Sequence, residues 1–369
     1  VDGLGNRLNC TNYGDEYRGE IIVDNAGNCY ISSITESSNF PVSTGAYQTA
    51  FGGDCDGVIF SLNSNLSTLN WATYFGGSMY DNAYGIRTDA NGDVYVSGRA
   101  GNGFFTSTGV TSTYQGGEAD GFIAKFSSNG TSLLASSYFG TSEKDEAFFV
   151  DIDTDGDVYI FGQNNMGNIT PTPGVYANPG SSQFIAKFNP DLNTLIYKTV
   201  IGSGGAMDYA PSAFMVDICG RVYISGHMSI MGYLSTCPTT TTTGGFSSYG
   251  GIYLAAYDFD NGGGLLFGSY IPGADHVDGG TSRFDPNGVV YQGVCSCPPW
   301  SPDLPITAGA YANTNSTNNC DMGVLKIDFE LSIVHSSFQT DTIDSLCSPA
   351  TIQFINNSQI ASVITKINI

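Results

Sequence analysis

The chain has little positive charge. Only 12 of its 369 residues are Lys or Arg, against 34 Asp or Glu, and its formal net charge is −22. A nucleic-acid-binding protein needs a basic footprint to displace counterions from phosphate, and none is present. The same deficit argues against anionic membrane surfaces. Histidine is scarce as well. His227, His276 and His335 are scattered along the chain, so their spacing offers no catalytic triad and no zinc site. No apolar run approaches the roughly 18 residues that would suggest a membrane-spanning helix. No Gly-x-Ser-x-Gly elbow joins a strand to a helix.

What the chain has in abundance is Gly (48), Tyr (22) and Phe (22). That is a composition of turns and strands. One motif recurs five times, around Asp24-Asn-Ala-Gly27-Asn-Cys-Tyr30, Asp89-Ala-Asn-Gly92-Asp-Val-Tyr95, Asp153-Thr-Asp-Gly156-Asp-Val-Tyr159, Asp217-Ile-Cys-Gly220-Arg-Val-Tyr223 and Asp285-Pro-Asn-Gly288-Val-Val-Tyr291. The aspartates stand 65, 64, 64 and 68 residues apart. A period of this length without helix signals implies a radial or stacked β array.

The second repeat shows the unit. A strand ends at Asp89, Ala90-Asn91-Gly92-Asp93 forms a tight turn, and Val94 to Gly98 forms a second strand. After a long loop, Asp120 to Phe126 and Leu133 to Gly140 form a second hairpin about Asn129-Gly130. Four antiparallel strands cannot bury both faces of one sheet, so neighbours must stack on it. The expected fold is therefore all-β, a propeller of four-stranded antiparallel blades. The repeats fall at about 18–82, 83–146, 147–210, 211–278 and 279–339, after a lead-in at 1–17 that resembles the end of a preceding blade.

These strings, with the long-loop pattern Phe40-Pro41-Val-Ser-Thr-Gly45-Ala-Tyr47-Gln and the third-strand pattern Asp120-Gly-Phe-Ile-Ala-Lys125, resemble the SBBP β-propeller repeat over about residues 12–338. The stretch His276 to Asp285 is similar to large surface proteins of Bacteroidetes. The resemblance implies export through the type IX system and an extracellular or outer-surface location. It also implies a seven-bladed ring, whereas five repeats are visible, so the blade number is left open. Residues 340–369 resemble the opening of a PKD/Ig-like module. Within them Asp341-Thr342-Ile and Asp344-Ser345-Leu resemble a phylum-specific O-glycosylation motif, making Thr342 and Ser345 candidate glycosylation sites.

Two constellations carry candidate chemistry. Asp151, Asp153, Asp155 and Asp157 alternate before and after Gly156, like an oxygen-rich Ca²⁺ loop. Gly162 stands where such a loop needs its bidentate glutamate, and a plain hairpin turn is the competing reading. Nine cysteines are present, an odd number without zinc spacing. Antiparallel neighbours should bring Cys320 close to Cys295 or Cys297, so a disulfide is expected there.

No nucleophile–base pair is visible in the sequence. The expected function is therefore a non-enzymatic structural or adhesive platform. It would contact other surface proteins, or further domains of its own polypeptide, and would need no cofactor. The alternative is a glycan-binding, lectin-like propeller, and a propeller hydrolase or lyase comes last. A convergent acid/base cluster in the central channel would favour that last class.

Overall fold

The repeated aspartate builds the same turn each time. Its Oδ1 accepts hydrogen bonds from the backbone N–H groups two and four residues on: Ala26 and Asn28 for Asp24, Asn91 and Asp93 for Asp89, Asp155 and Asp157 for Asp153, Cys219 and Arg221 for Asp217. The turn then needs a left-handed residue, and Gly156 supplies it with φ 85°. In a computed structural model of the chain, these turns open five antiparallel sheets.

The structure describes residues 18–104, 109–165, 168–204, 209–227, 251–271, 288–296 and 321–329, with shorter stretches at 229–230, 233–234, 282–285, 304–312, 338–340 and 354–356. Blade 1 comprises β1 (Glu20–Val23), β2 (Cys29–Thr35), β3 (Asp56–Leu62) and β4 (Leu69–Phe75). Blade 2 comprises β5 (Asn82–Thr88), β6 (Val94–Ala100), β7 (Asp120–Phe126) and β8 (Leu133–Phe139). Blade 3 comprises β9 (Asp145–Ile152), β10 (Val158–Asn164), β11 (Gln183–Phe188) and β12 (Leu195–Ile201). Blade 4 begins with β13 (Ala210–Val216) and β14 (Val222–His227), then a small hairpin of β15 (Ser229–Ile230) and β16 (Tyr233–Leu234), and ends with β17 (Ile252–Asp258) and β18 (Gly264–Ile271). Blade 5 shows β19 (Ser282–Phe284), β20 (Val289–Ser296) and β21 (Asp321–Asp328). Beyond it β22 (Phe338–Thr340) pairs with β23 (Phe354–Asn356). Every strand pair is antiparallel, each blade's strands follow one another in chain order with the β15–β16 hairpin inserted between β14 and β17, and no helix occurs among the described residues. The fold is the expected all-β propeller of antiparallel blades, and five blades are described, four with all four strands and blade 5 with three.

Where blades meet, each buries a face against its neighbour, and the repeat dictates which residues meet. The Tyr and Ile of one blade's forward face pack on the aliphatic rear face of the next. Tyr95 and Ile123 of blade 2 meet Val150, Val158 and Ile160 of blade 3. Tyr159 and Ile185 of blade 3 meet Phe214, Val222 and Ile224 of blade 4. Ile59 and Trp71 of blade 1 meet Ile86, Val94 and Val96 of blade 2, and Tyr223 and Leu254 of blade 4 meet Val290 of blade 5. Each such side chain contributes about 1.5–3 kcal/mol on burial. The joints are also hydrogen-bonded: Tyr95 donates to Pro190 O at 2.7 Å and Tyr159 to Asp260 Oδ2 at 3.2 Å, each reaching the outer hairpin of the next blade.

Candidate functional site

The first strands of the blades, β1, β5, β9, β13 and β19, pack in series around the axis. Their charged side chains therefore meet at the centre, although they lie some 64 residues apart in sequence. Two clusters result, and their distances separate their roles.

The first cluster is a strap. Arg87 on β5 reaches Glu20 Oε1 of β1 at 2.8 Å and Asp151 Oδ1 of β9 at 3.1 Å. Glu20 also accepts from Ile86 N at 3.1 Å, and Asp151 accepts from Val216 N of β13 at 2.8 Å. Burial alone would lower the Arg87 pKa, but the charges of Glu20 and Asp151 outweigh it and hold the guanidinium protonated. Every oxygen has a short partner, and four inner strands are tied together. Arg18 adds a second tie, donating to Pro211 O at 3.1 Å while stacking over Phe149 at 4.4 Å.

The second cluster lies at the channel end where β5 and β9 begin. Glu146, at the head of β9, is almost fully buried. Its Oε1 stands 3.4 Å from Arg99 Nη1 and 3.5 Å from Lys144 Nζ. The exposed carboxylate of Glu118, from the long loop of blade 2, shares the same two cations at 3.6 and 3.5 Å. The Tyr84 hydroxyl donates towards Glu146 at 3.5 Å and accepts from Asn82 at 3.3 Å. The exposed ring of Tyr80 faces Arg99 at 5.8 Å. Charge-assisted hydrogen bonds close at about 2.7–2.9 Å, so these contacts of 3.4–3.6 Å are looser than those of the strap. Gln163 lies directly across the ladder from Glu146, hence on the same face of the sheet. It is 1% exposed, and neither of its amide atoms has a partner among the described residues. A buried amide left unpaired costs about 1–3 kcal/mol, which a polar ligand would recover.

The loops around this mouth are held by buried aspartates. Asp81 accepts from Gly77 N at 2.6 Å and Gly101 N at 2.8 Å; Asp145 accepts from Thr141 N and Asn164 Nδ2, each at 2.7 Å. Burial pushes Asp81 and Asp120 up to about 7 and Asp145 up to about 6. Gly140 is glycine because a Cβ there would sit 2.6 Å from Asp120 Oδ1 and 2.9 Å from Asp145 Oδ2. This accounts for the Tyr-Phe-Gly ending of the fourth strand.

The four aspartates of the candidate Ca²⁺ loop do not converge on one point. Asp151 points into the channel strap. Asp153 and Asp157 face Lys187, whose ammonium lies 3.2 and 3.3 Å from their carboxylates. Asp155 lies in the exposed turn, where its N–H donates to Asp153. The Lys187 ammonium stands between the Asp153 and Asp157 carboxylates and pairs them within the hairpin turn. Among the described residues no group of three or more His, Cys, Asp or Glu is arranged to hold a metal.

Among the described cysteines, Cys29, Cys55 and Cys219 are free. Of the expected disulfide, Cys295 lies on β20 opposite Met322, whereas Cys297 and Cys320 fall outside the described residues. Thr342 and Ser345 fall outside them too.

No family model matches the chain, and no curated protein matches it in sequence. Solved structures do resemble it in fold. A thermostable family-43 glycoside hydrolase aligns over 85% of this chain and 90% of its own, with TM-score 0.39 and 11% identity. The β-xylosidase RS223 aligns over 85% and 92%, with TM-score 0.38 and 12% identity. A polysaccharide lyase of family 25, an ulvan lyase, aligns over 76% and 66%, also with TM-score 0.38 and 12% identity. At such identities the likeness is one of fold.

The expectation of a non-enzymatic adhesive module is corrected here. It rested on the absence of converging acid/base groups, and the channel mouth brings Glu146, Glu118, Arg99 and Lys144 together. Sequence reading missed these residues because they come from three separate segments. The one available signal was that Gly98-Arg99 and Gly162-Gln163 occupy the same repeat position, where a structural repeat has no need of an arginine.

Proposed function

We propose that the channel mouth between blades 2 and 3 binds and cleaves a glycan. One observation carries this reading: a buried carboxylate, Glu146, and an exposed one, Glu118, share Arg99 and Lys144 through loose contacts. Glycoside hydrolysis needs two carboxyl groups, one ionised and one able to deliver a proton to the leaving oxygen. Glu146, enclosed by two cations and the Tyr84 hydroxyl, and Glu118, carried on the exposed loop, would be that pair. Their Oε1 atoms lie 3.6 and 3.4 Å from the same Arg99 nitrogen, hence at most about 7 Å apart, a limit that admits the carboxyl separation of about 5–5.5 Å used by retaining enzymes. Arg99, Lys144 and Gln163 supply donors for sugar hydroxyls, and Tyr80 supplies a stacking face.

The acidic, glycine-rich composition and the resemblance to surface propeller repeats support an extracellular location, where polysaccharide is available. The test is a panel of neutral and acidic polysaccharides, assayed for new reducing ends and for the ultraviolet absorbance of unsaturated products. Cleavage by the wild type that falls at least a hundredfold in Glu146→Gln supports the reading. A folded wild type that neither cleaves nor binds any of the panel overturns it.

A further inference from the structure

The four joints between successive blades use the same repeat positions, so each blade's two faces can be compared with their counterparts. Two faces stand out. On the forward face of blade 5, Val324 is 73% exposed, although its counterparts Ile123, Ile185 and Leu254 are fully buried. Tyr291 is exposed where Tyr95, Tyr159 and Tyr223 are buried, and Met322, on the same face, is 82% exposed. On the rear face of blade 1, Ile21 is 52% exposed where Ile86 and Val150 are buried, and Val23 is 62% exposed.

The outer hairpin of blade 1 gives an independent sign. Leu66 and Leu192 occupy the same place in their blades and are the two non-glycine residues with left-handed backbone among those described, at φ 60° and 55°. That conformation costs a branched side chain about 1–2 kcal/mol. Leu192 is fully buried in the joint between blades 2 and 3, and its carbonyl accepts from Val110 N of blade 2. Leu66 holds the same turn with its side chain 60% exposed. Blade 1 is thus shaped to receive a blade behind it, as blade 3 receives blade 2.

We propose that these two faces are the halves of an intermolecular joint, with blade 5 of one copy docking its Tyr291, Met322 and Val324 face onto the Ile21, Val23 and Leu66 face of blade 1 in a second copy. The occupant is a second copy because the chain itself carries both halves of a joint it already makes internally. The contact is head-to-tail, so each added copy exposes a fresh half. The net charge of −22 on each copy opposes the contact at long range, and salt should strengthen it.

Sedimentation velocity across a range of concentrations, at low and raised salt, tests this. The wild type should associate with concentration, and more readily in salt. Val23→Asp and Val324→Asp, each shown folded by circular dichroism, should be monomeric. An equimolar mixture of the two variants should give a dimer and nothing larger, because one intact half remains on each partner. A wild type that stays monomeric throughout, or a mixture that stays monomeric, overturns the proposal. So does a Val23→Cys/Val324→Cys double variant that crosslinks within single molecules in dilute solution, since the faces would then close on each other.

Discussion

The ammonium of Lys187 lies 3.2 Å from Asp153 Oδ2 and 3.1 Å from Asp260 Oδ2, and it sits over the ring of Tyr159 at 4.9 Å. One third-strand lysine thus closes its own blade's first hairpin and clasps the outer hairpin of the next blade. Burial alone would lower its pKa, but the hydrogen bonds and charges of Asp260 and Asp153 prevail, and the lysine stays protonated. Lys125 repeats the first half of the arrangement with Asp89 and Asp93 at 3.4 and 3.5 Å. The motif Asp-x-x-Gly-x-x-Tyr and the strand ending Ile-Ala-Lys are therefore two parts of one lock.

Removing that lysine leaves partly buried carboxylates facing one another. Lys187→Met is expected to cost about 3 kcal/mol, in the range for breaking a buried ion pair from one side. The check is the urea midpoint relative to wild type. Calcium should not change the wild-type melting temperature, because the ammonium already fills the carboxylate cage.

Stability should fall as pH rises from 5 to 8. Burial raises Asp81 and Asp120 to about 7 and Asp145 to about 6, from an ordinary value of 3.8. Between the ordinary and raised values the folded state holds more protons than the unfolded one, so the stabilisation is full at low pH and is lost as pH climbs through 6 and 7. Melting temperature measured across this window checks the sign, and Asp81→Asn should flatten the profile. A melting temperature that rises towards pH 8 would contradict the assignment.

Gly140→Ala inserts a methyl group 2.6 Å from Asp120 Oδ1, with backbone φ not at issue. The expected loss is about 1–3 kcal/mol from overpacking, read as a lower denaturant midpoint with an unchanged slope. Glycines in the outer turns with open space around them, such as Gly45, should lose stability through φ alone.

Gln163→Leu separates stability from binding. Its two amide atoms have no described partner, so an apolar side chain of similar size should leave stability unchanged or raise it by up to about 1 kcal/mol. If a ligand occupies the mouth, the same change should weaken oligosaccharide affinity about tenfold, measurable by calorimetry. Unchanged affinity would remove Gln163 from the site.

Leu192→Ala should cost about 2–5 kcal/mol, as for a buried leucine. Leu66→Ala, at the matching turn with an exposed side chain, should be close to neutral for the isolated chain. The contrast between the two in thermal unfolding tests whether blade 1's rear face is uncovered.

The sequence by itself determined the blades. Each turn is local: Asp24, Asp89, Asp153 and Asp217 bond to N–H groups within four residues, so a fixed string makes a fixed hairpin. Period and strand pattern then leave stacking as the way to bury both faces, and the propeller follows. The run Asp151 to Asp157 divides at the strand end: β9 stops at Ile152, so Asp151 belongs to the strand and meets Arg87, whereas Asp153 and Asp157 belong to the turn and meet Lys187. Only the tertiary structure decided the channel mouth. Arg99, Glu118 and the Lys144–Glu146 segment come from a second strand, a long loop and the start of a first strand, and no spacing in the chain relates these three segments. They meet because the blades turn about a common axis, which brings the heads of β5 and β9 together. The exposed faces of blades 1 and 5 were likewise invisible in sequence, because the repeat gives every blade the same two faces. Which faces find a partner depends on where the blade sits in the ring.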